Sequence, residues 1–310
     1  MIPLLVRTHG DVGGGRAYPL PVIRNRIRRS GEQPARKRGR ERGAVAVAAA
    51  TVLGFVLSAA VSPAHDFWIE PGTFSPTQPQ VTISLRVGDT FPGEPFPRDP
   101  THVERFVVVG PRGEGAVAGR PGWDPAGYAP LAGSGVHVVG YLSARQSIVL
   151  ESAAFDAYVA KEALEHVVTA RAAVSTPEAP VRELFSRCAK TLVWFGEPHA
   201  GGGDVVLGFP LELVAETNPY ATAPGEAIVV RLLYRGRPLA GAKISARSPT
   251  DPEAVLAERT DRDGRVVFRL PRGGFWLLRA IYMLPSSAES GADWESLWAS
   301  LTFPISPKRD

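Results

Sequence analysis

The chain has 310 residues, with 35 Lys and Arg, 31 Asp and Glu and a formal net charge of +4. Residues 1–64 hold 11 of the basic and 3 of the acidic residues, which leaves 24 basic and 28 acidic residues, a net charge of −4, in the remainder. No basic cluster remains outside the first 64 residues, so the composition argues against nucleic-acid binding. The single cysteine, Cys188, excludes an intramolecular disulfide.

Residues 1–64 have the composition of a secretory signal peptide with a long basic n-region. Nine Lys and Arg residues lie between Arg24 and Arg42, and an uncharged run rich in Ala, Val and Leu follows at residues 43–61. Ser62-Pro63-Ala64 then places small residues where a signal peptidase cleaves. This order predicts export and cleavage after Ala64. An uncleaved N-terminal anchor is the alternative, but the apolar run falls short of the ~20 residues that a membrane span needs.

The residues after Ala64 predict a mainly β protein. Residues 81–87 alternate apolar and polar side chains, with Val81, Ile83, Leu85 and Val87 on one face, which is typical of a half-buried antiparallel strand. The same reasoning predicts strands at residues 103–109, 135–142, 147–150, 191–195 and 205–214.

Residues 153–173 instead carry apolar side chains at roughly helical spacing. Ser175-Thr176-Pro177-Glu178 has the residue types that begin a helix, so a second helix is expected to run to about Lys190. These features predict a helical hairpin inserted into an N-terminal β domain, residues 65–217.

Thr217-Asn218-Pro219 marks the predicted domain boundary. Beyond it, short apolar runs alternate with turns such as Asp261-Arg262-Asp263-Gly264. The pattern predicts a second β-sandwich domain at residues 218–306, with Val266, Phe268 and Leu270 facing inward.

His65 is the strongest candidate for a metal ligand. After cleavage behind Ala64, this residue would carry an α-amine and an imidazole on one carbon framework, a bidentate chelate for a transition metal. Both groups can be neutral donors near pH 7, and nitrogen donors suit nickel, cobalt, copper or zinc. Two donors leave most of the coordination sphere open, so a second imidazole is expected.

Four other histidines follow in the exported part of the chain. His137, in a predicted strand, and His199, in a Gly-rich loop, are the expected partners of His65, whereas His102 and His166 are weaker candidates. Each could instead be an ordinary structural histidine. Neither His-Glu-x-x-His nor Cys-x-x-Cys occurs, so no zinc signature supports the site. The triple glycine before Asp204 has no Lys-Ser/Thr after it, and no organic cofactor is predicted.

Four stretches of the chain resemble one bacterial family of periplasmic proteins of unknown function. They are Ala64-His65-Asp66-Phe67-Trp68-Ile69-Glu70-Pro71, Val87-Gly88-Asp89-Thr90-Phe91-Pro92-Gly93-Glu94-Pro95, Ser186-Arg187-Cys188-Ala189-Lys190 and Asp293-Trp294-Glu295-Ser296-Leu297-Trp298-Ala299-Ser300-Leu301-Thr302-Phe303. Members are described as periplasmic components of nickel or cobalt uptake systems. The resemblance implies a periplasmic location and a transthyretin-like or carboxypeptidase-regulatory-like second domain. It also implies that relatives carry a histidine where this chain has Tyr282. If that histidine binds metal in the relatives, the tyrosine would weaken the site here or alter which metal it prefers.

Three functions follow as hypotheses. The first is a non-enzymatic periplasmic protein that binds nickel or cobalt through His65 and His137 and hands the ion to an uptake transporter in the inner membrane. The second is a structural or protein-interaction module without a metal. The third is a copper enzyme in which His65 and a second histidine hold the ion, although no substrate surface is recognisable in the sequence.

Overall fold

The computed structural model describes residues 65–173, 178–197 and 202–306. The predicted signal segment 1–64, the predicted helix start at 175–177 and His199 lie outside the described residues. Within the described ranges the chain forms these strands and helices, in order: β1 (Phe67–Pro71), β2 (Gln80–Val87), β3 (Glu94–Pro95), β4 (Val103–Gly110), β5 (Gly113–Ala116), β6 (Gly127–Pro130), β7 (Gly135–Ser143), β8 (Gln146–Leu150), α1 (Ser152–Lys161), α2 (Glu165–Ala172), β9 (Val181–Phe195), β10 (Leu211–Ala215), β11 (Ala227–Tyr234), β12 (Arg237–Pro238), β13 (Lys243–Ser248), β14 (Asp251–Arg259), β15 (Arg265–Arg269), β16 (Gly274–Pro285) and β17 (Trp294–Ile305).

A nine-stranded sheet forms the centre of the protein. Its strand order is β14-β13-β16-β17-β9-β7-β4-β5, with β8 also paired to β9. The β17–β9 pair is parallel, while the other pairs of this sheet are antiparallel. Because β9 precedes residue 217 and β17 follows it, strands from both predicted domains share this sheet.

The two faces of the central sheet are covered by different elements. A four-stranded sheet of β10, β11, β12 and β15 lies on one face, where Cys188 and Leu192 of β9 join its core. A second four-stranded sheet of β1, β2, β3 and β6 lies on the other face, against Ala189 and Val193. The helices α1 and α2 cover the rest of that face with an aromatic cluster of their own. Successive residues of β9 therefore enter opposite cores, as the period of a strand requires.

The predicted β architecture is confirmed. The strand at residues 81–87 corresponds to β2, and its predicted inward residues, such as Ile83 and Leu85, are fully buried. Val266, Phe268 and Leu270 are buried as expected, at 4%, 2% and 1% exposure. In the described part of the chain, no helix is long and apolar enough to cross a membrane.

The prediction of a second helix running to Lys190 was wrong, because residues 181–195 form the long strand β9. Both faces of β9 are buried, so its sequence lacks the alternation of apolar and polar residues that marks a half-exposed strand. The predicted helix at residues 153–173 is two short helices, broken at Ala163, whose φ is +57°. Of the strand predicted at residues 205–214, only residues 211–214 are in a strand, and they belong to β10.

Candidate metal centre at the start of the folded chain

His65 lies two residues before the first residue of β1 and is partly exposed. Its Nε2 atom is 3.8 Å from Oδ2 of Asp89, and the two side chains are 37% and 48% exposed. Asp89 lies in the turn between β2 and β3, and its carboxylate is also 3.9 Å from Nζ of Lys161. Gly93 in the same turn has a φ of +71°, and a Cβ there would come within 2.4 Å of the Trp68 ring. The turn is thus packed onto β1, which keeps Asp89 beside His65.

Asp66 fastens the start of the chain to the central sheet. Its side chain is 4% exposed, and its carboxylate pairs with Arg247 on β13 and with Nε of Arg279 on β16, the latter at 2.9 Å. Its backbone carbonyl accepts a hydrogen bond from the amide of Gly88 at 2.9 Å. Chain ends are usually mobile unless they are tied down. Here the residue after His65 is held by two buried ion pairs and by the β1–β2 ladder.

The same arginines connect the start of the chain to the helical hairpin. Arg279 donates two hydrogen bonds to Glu162, at the end of α1, at 2.8 and 3.0 Å. Lys243 lies 4.0 Å from the same carboxylate. Burial and the neighbouring Arg279 lower the pKa of Arg247 to about 10, so that this guanidinium remains charged at neutral pH. The network fixes Asp66, the residue after His65, relative to both α1 and the sheet.

The donors available to a metal at this place are few. The carboxylates of Asp66 and Glu162 are occupied by arginines, which leaves the imidazole of His65 and the carboxylate of Asp89. Among the described residues, no group of three or more His, Cys, Asp or Glu side chains could hold a metal ion. A complete site would therefore need the α-amine of a processed chain.

His137 is held by the backbone of its own neighbourhood. It is 1% exposed; its Nε2 accepts a hydrogen bond from the amide of Ala132 at 3.1 Å, and its Nδ1 lies 3.2 Å from the carbonyl oxygen of Gly135. Nε2 also lies 3.2 Å from the carbonyl oxygen of Ala132, so both ring nitrogens face the backbone. No contact of the described residues joins His137 to His65.

His102, His166 and Cys188 lie in other parts of the fold. His102 pairs with Asp99, with 3.6 Å between Nδ1 and Oδ2, and Nε2 of His166 is 2.7 Å from the carbonyl oxygen of Met283. The ring of His166 lies 6.0 Å from that of Tyr282. The Cys188 thiol is buried, and burial raises its pKa to about 12, as expected of an unreactive thiol.

Lys190, Asp204 and Glu212 form a buried ion cluster on the opposite face of the central sheet, which the sequence did not predict. Nζ of Lys190 lies 2.7 Å from Asp204 and 3.0 Å from Glu212, and all three side chains are at most 1% exposed. Glu212 also accepts hydrogen bonds from the amides of Leu207, Gly208 and Phe209. Burial raises the pKa of Asp204 in spite of the lysine. The cluster anchors the irregular segment that precedes β10.

A second buried acid lies beneath the helical hairpin. Glu183 on β9 is 1% exposed; it accepts hydrogen bonds from Ser296 and, at 3.5 Å, from Tyr158, while its Oε2 has no partner among the described residues. The ring of Tyr158 stacks on Trp298 at 5.6 Å. Burial raises the pKa of Glu183 to about 7.

Glu183 is expected to make stability depend on pH. Its folded-state pKa lies above its ordinary value of 4.5, so the folded protein holds the extra proton between these values. Its stabilising effect is therefore complete below about pH 4.5 and is lost as pH rises through 7. At 1.36 kcal/mol per pKa unit, roughly 2–3 kcal/mol should be lost between pH 5 and pH 8. Glu183→Gln should remove this slope in urea unfolding.

Glu114→Gln is the matched control for that substitution, because Glu114 is 48% exposed on the edge strand β5. The stability of the Glu114→Gln variant should depend on pH in the same way as that of the unaltered protein. A slope of undiminished size in Glu183→Gln would show that another group carries it.

The family of the chain follows from comparison with known proteins. A family model described as Domain of unknown function (DUF4198) matches residues 62–284, well over half of the sequence. The chain belongs to this family. The DUF4198 match includes His65, Asp66, Asp89 and Glu162, and it ends within β16, so that β17 lies beyond it.

Other comparisons add little to the DUF4198 assignment. No curated protein matches the chain. Among solved structures, the D0-D1 domain of Intimin is similar at 12% identity, with 78% of this chain and 98% of that chain covered and a TM-score of 0.18. The D00-D0 domain of Intimin gives 11% identity, coverages of 77% and 99%, and a TM-score of 0.18. Similarity at that TM-score supports no statement about this chain.

Proposed function

We propose that the protein is exported to the periplasm and binds a divalent transition-metal ion through His65 at its processed N terminus. The observation that carries this proposal is the anchoring of Asp66. A chelate formed by the first residue of a chain is useful only if that residue has a fixed position, and two ion pairs with Arg247 and Arg279 supply it.

The local geometry suggests which atoms of His65 would bind the ion. Asp89 faces Nε2 of the ring, at 3.8 Å, so Nδ1 is the ring nitrogen that remains free. Nδ1 and the α-amine belong to one residue and can bind one ion together. A carboxylate behind a metal-binding imidazole orients the ring and increases its basicity, which is the role we assign to Asp89.

The donor set favours a nitrogen-seeking metal such as nickel, cobalt, copper or zinc. Together with the family resemblance, it supports an accessory role in nickel or cobalt uptake, in which an inner-membrane transporter receives the ion. His137 is not among the ligands that we propose here; its ring nitrogens contact the backbone of Ala132 and Gly135.

A second candidate function is an interaction module that binds no metal. It is favoured by the lack, in the described part of the chain, of any group of three or more metal-binding side chains. The two candidates differ in whether the free amine of His65 matters.

The metal hypothesis predicts that protein beginning at His65 binds nickel, cobalt or copper in calorimetric titrations. One residue added before His65 converts the amine to a peptide nitrogen and should weaken binding at least ~10-fold, the equivalent of 1.4 kcal/mol. His65→Ala should have a similar effect. Binding must displace protons from the amine and imidazole, so affinity should fall below about pH 6.

His102→Ala is a closely matched control. The His102–Asp99 pair has the same 37% histidine exposure as His65–Asp89 and a similar separation, 3.6 Å, but it lies away from the start of the folded chain. The His102→Ala variant should bind metal as tightly as the unaltered protein does. Equal affinity in the native and extended proteins would refute the N-terminal site and favour the interaction module. Oxidation of an added substrate by copper-loaded protein would instead support an enzyme.

A further inference from the structure

Arg187 is a buried cation that has no anionic partner among the described residues. Its side chain, on β9, is 5% exposed, and its guanidinium carbon lies 4.9 Å from the ring centre of Phe67, 5.6 Å from that of Phe185 and 6.0 Å from that of Phe96. Among the described residues it makes no ion pair and no side-chain hydrogen bond, and NH1 is buried without a partner. Burial lowers its pKa to about 10, so the charge persists at neutral pH.

This isolation contrasts with the other buried cations of the protein. Lys190, also on β9, pairs with two carboxylates, and the largely buried Arg247 and Arg279 share Asp66. Aromatic rings offset part of the cost of burying a guanidinium, but a carboxylate partner is the usual arrangement. A buried charge that the fold leaves unpaired is therefore a candidate for pairing with a ligand.

A groove is lined in part by Phe96, whose ring centre lies 6.0 Å from the guanidinium carbon of Arg187. Its volume is about 400 Å³, within the ~300–1,000 Å³ typical of small-molecule sites. Phe96, Pro97, Pro100 and Pro121 provide apolar walls. Phe96 thus lines the groove and also contacts the Arg187 guanidinium, which does not line the groove itself.

The polar groups of the groove favour a single negative charge. Arg98 and His102 line it, and Nδ1 of His102, 3.6 Å from Oδ2 of Asp99, is buried without a hydrogen-bond partner among the described residues. Asp99 lines it too, but its carboxylate accepts hydrogen bonds from the hydroxyl and amide of Thr101, at 2.7 and 2.9 Å, and these lower its pKa. Asp99 would repel a dianion such as phosphate more strongly than a monoanion.

We propose that the groove binds a small monocarboxylate with an apolar body, whose carboxylate pairs with Arg187 when the Phe96 ring turns aside. The apolar part packs against the prolines and Phe96. The carboxylate supplies the partner that Arg187 lacks, which explains why the fold keeps a charge at this position. The site is independent of His65 and of any metal.

Hexanoate is a suitable probe, with hexan-1-ol and hexylamine as matched compounds that lack the negative charge. In calorimetric titrations, hexanoate should bind at least ~10-fold more tightly than either of them, as expected when a buried ion pair is formed. Arg187→Met should reduce hexanoate binding to the level of hexan-1-ol. Because it removes an unpaired buried charge, the same substitution should leave the melting temperature unchanged or raise it.

Two further variants make the test decisive. Arg187→Lys keeps the charge and should retain part of the hexanoate affinity, whereas Arg145→Met, at an arginine paired with Glu295 at the surface, should retain all of it. Equal binding of hexanoate and hexan-1-ol, or full hexanoate binding by Arg187→Met, would overturn the proposal. A large fall in melting temperature of Arg187→Met, combined with no hexanoate binding by the unaltered protein, would show that Arg187 is purely structural.

Discussion

Replacing Lys190 with Met is expected to lower the free energy of unfolding by roughly 3–5 kcal/mol, the usual cost of removing one partner from a buried ion pair. The lysine is the only cation in contact with Asp204 and Glu212 in the described part of the chain, and both carboxylates are buried. Its Nζ also donates to the carbonyl oxygens of Val205 and Leu213, at 2.9 and 3.1 Å. Urea unfolding at pH 7 measures the loss.

The pH dependence of the same variant gives an independent check. Without Lys190, the pKa of Asp204, already raised by burial, should rise further above its value in the unfolded chain. The folded variant then binds more protons than the unfolded one, so its stability should fall as pH rises. The deficit should be larger at pH 8 than at pH 5. Lys161→Met, at a lysine that is 58% exposed, should cost less than ~1 kcal/mol; a similar loss in both variants would contradict the assignment.

Asp66→Asn is expected to cost about 3 kcal/mol and to weaken metal binding at His65. The amide has the size of the carboxylate but leaves Arg247 buried without a counter-charge, while Arg279 keeps Glu162 as a partner. The loosened start of the chain would no longer hold the His65 amine and ring in one place. Urea unfolding and metal titration of the same preparation measure both effects.

The matched control is Asp89→Asn, at the more exposed aspartate beside His65. It should reduce metal affinity with less than ~1 kcal/mol of lost stability, as usual for surface sites. The double variant Asp66→Asn, Arg247→Met should recover part of the stability that Asp66→Asn loses. No recovery would mean that the cost does not arise from the unpaired arginine.

The sequence was informative where one face of a strand is solvated. The alternation of β2 was visible because its outer residues, such as Thr82 and Arg86, are polar. β9 gave no such signal, since its two faces contact two different cores and several of its polar residues, such as Glu183, Arg187 and Lys190, are buried. The residue types alone did not distinguish it from a helix.

The candidate site was partly predictable. His65 was recognisable from its place after Ala64, but the partners of Asp66 lie on β13 and β16, near the other end of the sequence. Isolated arginines carry no local pattern that reveals such a pairing. The place of His137 in a strand is visible in the sequence, but its hydrogen-bond contacts with Ala132 and Gly135 depend on the folded backbone.

The position of β17 bears on how the protein folds. This last strand lies in the middle of the central sheet, and Thr302 donates a hydrogen bond to the carbonyl of Ile69, 233 residues earlier. A nascent chain that lacks β17 has two unconnected sheet fragments, one ending at β16 and the other at β9. Contacts between residues so far apart in the sequence form late and slow the folding of the protein. The central sheet can therefore close only after β17 has been synthesised and has inserted between β16 and β9.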